Sequence, residues 1–141
     1  AGLSKAFAIT NLGIMTNPLG MEITRNHSTG SILMTQCKLS QTLLEDMAMH
    51  VCNLKTLPLD PNIKLVKKNP EELHTVVPES EFSYMKVVGT LLHMVTCTRP
   101  DLAQAVSLLC RFNSAPGPSY VAAAKGVLRY LKGTTHLGVS Y

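Results

Sequence analysis

The chain has 141 residues, of which 45% are hydrophobic and 16% are charged. This composition excludes a disordered chain, and no uninterrupted apolar run approaches the ~20 residues of a membrane span. The formal net charge of +4 and the isoelectric point near 9.0 are compatible with an anionic partner such as nucleic acid.

The cysteines and the N-terminus bear on the compartment in which the chain works. Four cysteines lie far apart, at Cys37, Cys52, Cys97 and Cys110. Because they form no Cys-x-x-Cys pair, we interpret them as reduced, mostly buried thiols and not as zinc ligands. The sequence opens Ala1-Gly2-Leu3 without a charged and apolar leader, which predicts an intracellular protein, cytoplasmic or nuclear, that is not secreted. The missing initiator Met also favours a piece of a longer protein.

The first thirty-five residues predict a β-hairpin. Apolar side chains alternate at Leu19, Met21 and Ile23, as expected of a strand that places one face on a core. A second apolar segment, 31–35, follows a polar stretch from Arg25 to Gly30 that suits a hairpin loop.

Apolar residues at helical spacing predict four helices after the hairpin. The first is expected over about 36–50 with Thr35 as its N-cap, and the second begins after Ser80. Between them, the segment 54–78 is expected to be a long connection, because it has four prolines and the cluster Lys64, Lys67 and Lys68. The buried stripe of the second helix is expected to be Phe82, Met85, Val88, Leu92 and Val95.

The third and fourth helices have clear start and stop signals. Thr98 can cap the third helix, Pro100 suits its first turn, and Asp101 adds a negative charge where the helix dipole favours one. This helix is expected to stop near Asn113, and the fourth is expected over about 118–132.

A short strand, 137–141, is expected to close the chain and to pair with an element outside it. The predicted fold class is therefore α+β and mainly helical. It has an N-terminal β-hairpin, a bundle of about four helices and a short C-terminal strand.

The fourth helix is two-faced. With ~100° of rotation per residue, Lys125, Arg129 and Lys132 fall within about 60° of one another. The opposite side gathers Tyr120, Ala123, Val127, Tyr130 and Leu131. The cationic row has two interpretations: a solvated surface, or a face that lies along a phosphate backbone. Arg99, beside Asp101, is expected to form a structural ion pair or a cap as readily as a ligand contact.

No catalytic or metal-binding constellation is evident. The histidines are dispersed, and none has a carboxylate or a nucleophile at a spacing that suggests a catalytic pair. We interpret four of them as packing or surface residues: His50, His74, His93 and His136.

Seven sequence blocks follow one another along the chain. They are Phe7-x-x-x-Asn11-Leu12-Gly13, Leu19-Gly20-Met21-Glu22-Ile23, Gln36 with Leu43-Leu44, Tyr84-x-x-x-Val88-Gly89-Thr90-Leu91-Leu92, Thr98-Arg99-Pro100-Asp101, Arg111-Phe112 and Leu128-Arg129-Tyr130-Leu131-Lys132-Gly133-Thr134. In the order of these blocks, and over nearly its whole length, the chain resembles the C-terminal part of the reverse transcriptase of copia-type LTR retrotransposon polyproteins.

The resemblance implies three parts. Residues 1–35 would be the end of the palm with a primer-grip-like hairpin, and 36–114 would be thumb-like helices with the Pro-rich connection at 54–78. Residues 115–141 would be a connection helix and strand leading toward a ribonuclease H domain. The primer-grip-like residues would be Leu19, Gly20, Met21 and Glu22. The residues expected to contact nucleic acid are Lys125, Arg129, Lys132, Lys86 and Arg111.

The parent family is an RNA-directed DNA polymerase, whose Mg²⁺ ions are held by adjacent aspartates. This chain has no Asp-Asp pair, so we expect it to be inactive alone, with no catalytic residue, metal or cofactor of its own. The implied partners are an RNA–DNA or DNA primer–template duplex and the remaining palm and ribonuclease H domains, with no membrane. Two alternatives stay open: a stand-alone nucleic-acid-binding or protein-interaction module derived from such an element, and a non-functional remnant.

Overall fold

The computed structural model describes residues 6–10, 13–63, 65 and 76–141. Several residues singled out in the sequence lie outside these ranges, namely Asn11, Leu12, Lys64, Lys67, Lys68, Pro70 and His74. The described elements are, in chain order, β1 (Glu22–Arg25), β2 (Ile32–Thr35), α1 (Cys37–Asp46), α2 (Tyr84–Cys97), α3 (Ala103–Cys110), α4 (Pro118–Gly133) and β3 (Gly138–Ser140). The prediction of a mainly helical α+β fold is confirmed.

The three strands form one antiparallel sheet in the order β1-β2-β3. The hairpin prediction is confirmed, and the Asn26 side chain organises the loop by accepting a hydrogen bond from the Ser28 backbone N–H (3.0 Å). The strand at the C-terminus also forms as expected. It pairs with β2 of the same chain, where Gly138 lies opposite Thr35. Because β3 is an edge strand of the sheet, its pairing with an element outside the chain stays a prediction.

The start of the hairpin differs from the prediction. Leu19 and Gly20 lie in a 3₁₀ turn, Pro18–Gly20, and not in a strand. Both have positive φ angles, 51° for Leu19 and 76° for Gly20, which ends any extended run before Met21. The Leu19 side chain is 79% exposed, so the expectation that it alternates with Met21 and Ile23 on a core face is wrong.

The hydrophobic core lies between the helices, where α4 contacts α1, α2 and α3. The buried face of α2 is rotated from the predicted one, since Met85 and Leu92 are 58% and 46% exposed. The buried residues of α2 are Tyr84, Val87, Val88, Leu91 and Met94. Apolar residues occur on most sides of α2, so spacing alone did not fix which side is buried.

The predicted helix caps are replaced by tertiary contacts. Gln36 and not Thr35 is the N-cap of α1, and the buried Thr98 hydroxyl donates to the Gln36 side-chain oxygen (2.7 Å). Pro100 and Asp101 belong to a 3₁₀ turn, Pro100–Leu102, that precedes α3. Thr98 is therefore the C-cap residue of α2 and ties that helix to α1, but it does not cap α3.

Arg99 is the largest fully buried side chain among the described residues. Its Nε and Nη2 donate to the two carboxylate oxygens of Asp101 at 2.9 and 2.7 Å. Its Nη1 donates to the Thr134 carbonyl oxygen (2.8 Å), and Nη2 also donates to the Thr134 hydroxyl (2.8 Å), just beyond the end of α4. The expectation of a structural ion pair is confirmed, and the pair joins the start of α3 to the end of α4.

The Arg99 ion pair also determines how Asp101 titrates. Partial burial alone would raise the pKa of Asp101, but the hydrogen bonds and charge of Arg99, with the Tyr130 hydroxyl at 3.0 Å, lower it below its ordinary value. Burial is the main cause that raises the pKa of Tyr130. The Asp101 carboxylate, which accepts a hydrogen bond from the Tyr130 hydroxyl, raises it further. Because the pKa of Asp101 is lowered on folding, the stability it contributes is present above the unfolded-state pKa of about 3.9 and is lost as pH falls through the folded-state pKa.

We expect Asp101→Asn to lower the free energy of unfolding by about 2–3 kcal/mol at pH 7, because it leaves a buried guanidinium without its counter-charge. The variant should also lose part of the acid dependence below about pH 4. Urea denaturation at pH 7 and pH 3.5 measures both effects.

The matched control is Asp46→Asn. Asp46 pairs with Lys86 at 2.8 Å, but both side chains are exposed, so the expected cost is below about 0.5 kcal/mol. Equal losses in the two variants would contradict the structural role assigned to the Arg99 pair.

We expect Gly138→Ala to cost about 1–3 kcal/mol, because a Cβ at this position would overlap the Met34 carbonyl oxygen and crowd the Thr35 methyl group. Gly89→Ala is the control, since a Cβ there meets nothing within 4 Å inside α2. The control should stabilise the chain by about 0.5–1 kcal/mol. A Gly138→Ala variant as stable as the parent would mean that β3 does not hold this register in solution.

Candidate nucleic-acid interface

α4 is buried on most of its circumference and leaves one narrow cationic strip exposed. Lys125 and Arg129 are exposed and Lys132 is half-buried. The buried residues of the helix are Tyr120, Val121, Ala123, Ala124, Gly126, Val127, Leu128 and Leu131. The two-faced pattern read from the sequence therefore corresponds to the core and to the solvent, with Tyr130 half-buried at the border.

The three cations of the strip differ in what their charges contact. The Lys125 ammonium lies 5.3 Å from the centroid of the buried Phe82 ring, and the side chain is exposed. The Lys132 ammonium donates to the Cys52 carbonyl oxygen (2.7 Å), which ties it to the preceding connection. Arg129 has an exposed side chain, and its backbone oxygen accepts from the Lys55 N–H at 3.5 Å. Lys125 and Arg129 are thus the more available cations of this strip.

Lys55 joins the strip, although the sequence analysis did not single it out. It is exposed, and its ammonium lies 3.6 Å from the position that a Cβ of Gly126 would occupy. The Lys55 ammonium therefore lies beside Gly126 on α4. The segment around Lys55 has no periodicity, so only the tertiary structure reveals that it lies against α4.

The two remaining cations are on other elements. Lys86 lies on α2 and forms the exposed ion pair with Asp46, so its charge is partly neutralised locally. Arg111 follows α3 directly and is exposed. The contacts found among the described residues link Lys55 to α4, but they link neither Lys86 nor Arg111 to the strip.

Two of the four residues predicted to be primer-grip-like, Leu19 and Glu22, contact the helices. The Glu22 carboxylate accepts from the Lys38 backbone N–H (3.2 Å) in the first turn of α1, where the helix dipole favours a negative charge. The Leu19 carbonyl oxygen lies 3.3 Å from His93 Nε2 of α2. Gly20 is exposed and Met21 is half-buried. These contacts fix the hairpin against α1 and α2.

His93 has a neighbour that the sequence analysis missed. Its Nδ1 lies 3.7 Å from Cys97 Sγ, one turn further along α2. In the sequence, His93 is interpreted as a packing or surface residue and is not paired with Cys97. The signal was present as a four-residue spacing within a predicted helix.

Within the described ranges, no three His, Cys, Asp or Glu side chains come close enough together to hold a metal ion. No helix in the described part of the chain has the length and apolar character needed to cross a membrane.

Comparison with known proteins finds transposon proteins among those to which this sequence is similar. It is 36% identical over 134 residues to the retrovirus-related Pol polyprotein from transposon TNT 1-94 of Nicotiana tabacum, covering 94% of the chain and 10% of the polyprotein. It is 29% identical to an uncharacterised mitochondrial protein of Arabidopsis thaliana, covering 97% of the chain and 53% of that protein. It is 28% identical to a putative transposon Ty5-1 protein of Saccharomyces cerevisiae, covering 99% of the chain and 43% of that protein.

The chain thus spans about a tenth of the tobacco polyprotein and about half or less of the two shorter relatives. No protein-family model matches the chain, and no solved structure matches it. Nearly its whole length is similar to segments of two retrovirus-related Pol polyproteins from transposons, one of Nicotiana tabacum and one of Arabidopsis thaliana.

Proposed function

We propose that the chain is a non-catalytic segment of an RNA-directed DNA polymerase of a copia-type retrotransposon and that it holds a primer–template duplex. Two sources support the proposal: the ordered sequence blocks, and the similarity to a Pol polyprotein over 94% of the chain. In this assignment, residues 1–35 end the palm, 36–114 form the thumb, and 115–141 lead toward ribonuclease H.

The exposed strip of α4 carries the proposal. A helix that is packed on most sides presents its remaining face rigidly, and here that face bears Lys125 and Arg129, with Lys55 beside it. Cations on a rigid surface can each replace a counterion on a phosphate backbone, which gives affinity without sequence preference. A polymerase segment that must move along its template needs this kind of contact.

The proposal assigns the chemistry to the rest of the polymerase. The Mg²⁺ ions of the parent family belong to its catalytic aspartates, and this chain has no Asp-Asp pair. The proposed partners are an RNA–DNA or DNA primer–template duplex, the palm and the ribonuclease H domain, in an intracellular compartment.

A protein-interaction module is the second candidate, and one observation favours it. Met85 and Leu92 expose apolar side chains on α2, outside its buried face. Gly89 lies between them, and a Cβ at Gly89 would meet nothing within 4 Å. Exposed apolar residues of this kind commonly mark contacts with other protein surfaces.

The binding test is fluorescence anisotropy of a labelled RNA–DNA hybrid across a series of salt concentrations, with Lys125→Gln/Arg129→Gln compared with the parent chain. We expect the variant to bind about tenfold or more weakly, and the slope of log affinity against log salt to fall by about 2, because two phosphate contacts are lost.

The control is Arg25→Gln/Lys38→Gln, which removes the same charge from exposed positions on β1 and α1. An equal loss in both variants would mean that only net charge matters. If the folded parent chain fails to bind at low salt, the proposal is wrong and the protein-interaction candidate is favoured.

A further inference from the structure

His93 and Cys97 form a close pair on one side of α2. Cys97 Sγ lies 3.7 Å from His93 Nδ1, and both residues are half-buried, so a small molecule can reach them. All four cysteines are half-buried, but Cys97 is the one for which a contact with an imidazole nitrogen is found in the described part of the chain.

The turn that precedes β1 selects the tautomer of this imidazole. His93 Nε2 lies 3.3 Å from the Leu19 carbonyl oxygen. A carbonyl oxygen can only accept, so this hydrogen bond places the proton of the neutral ring on Nε2. Nδ1 then has a free lone pair that faces the thiol and can accept its proton. Because the Nε2 contact persists in the imidazolium, the pair keeps both hydrogen bonds after the proton moves.

The other neighbours of the thiol do not compete for this proton. Thr96 Oγ1 lies 3.9 Å from Cys97 Sγ, a longer contact, and its own proton is donated to the His93 carbonyl oxygen at 2.9 Å. Cys37 gives the contrast. Its thiol donates to the Thr135 carbonyl oxygen (3.1 Å), an acceptor that cannot take up a proton under ordinary conditions.

We propose that Cys97 is a reactive thiol that undergoes exchange with low-molecular-weight disulfides, with His93 as its base. The Cys97 proton passes to His93 Nδ1, and Sγ attacks one sulfur of the disulfide. A bond forms between Sγ and that sulfur as the original S–S bond breaks, and the second sulfur leaves as a thiolate. The Cys97 sulfur is oxidised, the leaving sulfur is reduced, and the proton held by His93 neutralises the leaving thiolate.

The test uses the full chain with 5,5′-dithiobis(2-nitrobenzoate), an aromatic disulfide, at a low molar ratio, and assigns each modified cysteine by peptide mass mapping. Half-burial alone slows a thiol in the folded chain relative to the unfolded chain, whereas a positioned base accelerates it. We expect Cys97 to be modified first and to react about tenfold faster in the folded chain than in 8 M urea.

The variant His93→Gln should slow the reaction of Cys97 by about tenfold or more, because a positioned base commonly contributes at least that factor. His136→Gln is the matched control, since His136 is exposed beyond α4, and it should leave the rate unchanged. Circular dichroism establishes that both variants are folded.

Two results would overturn the proposal. The first is a Cys97 that reacts more slowly in the folded parent chain than in urea, which needs no variant to observe. The second is a folded His93→Gln variant whose Cys97 reacts as fast as that of His136→Gln. Neither result bears on nucleic-acid binding, so this proposal and the proposed function fail independently.

Discussion

The burial of one guanidinium constrains how the rest of the chain is arranged. A buried charge is costly unless it is paired and its hydrogen-bond donors are satisfied, and Arg99 meets this condition through Asp101 and Thr134. Asp101 belongs to the turn that starts α3, and Thr134 follows the end of α4. These bonds can form only when the start of α3 and the end of α4 meet, so they hold the two helix ends together.

The sheet and the helices are joined by a small number of further polar contacts. Thr98 bonds to Gln36 at the start of α1, and Glu22 of β1 bonds to the first turn of the same helix. The chain leaves α4 at Thr134 and returns to β2 as strand β3. Arg99 thus lies next to Thr134, the point where the chain passes from α4 toward the sheet.

Local signals in the sequence were enough to find most elements. Pro118 and Gly133 bound α4, and the loop from Arg25 to Gly30 separates two strands, because these residue types restrict the backbone wherever they occur. The ion pair of Arg99 with Asp101 was also within reach, since the two residues are neighbours in sequence. The two faces of α4 followed from a clear separation of charged and apolar residues.

The parts that could not be predicted depend on contacts between distant segments. The exposed Met85 and the buried Leu91 look alike on an α2 that is apolar on most sides, and only packing against α3 and α4 decides between them. Lys55 reaches α4, beside Gly126, from a connection without periodicity. The alternation of Leu19 with Met21 predicts a strand, but the turn at Pro18–Gly20 keeps Leu19 out of β1.

The most direct measurement of the proposed role is lysine footprinting by acetylation, with and without a bound RNA–DNA hybrid, read by mass spectrometry. If the duplex lies along the exposed strip, Lys125 and Lys55 become protected, while Lys38 on α1 is modified at the same rate in both samples. Protection of Lys38 with unchanged modification of Lys125 and Lys55 would contradict the account, because the duplex would then be held by another surface.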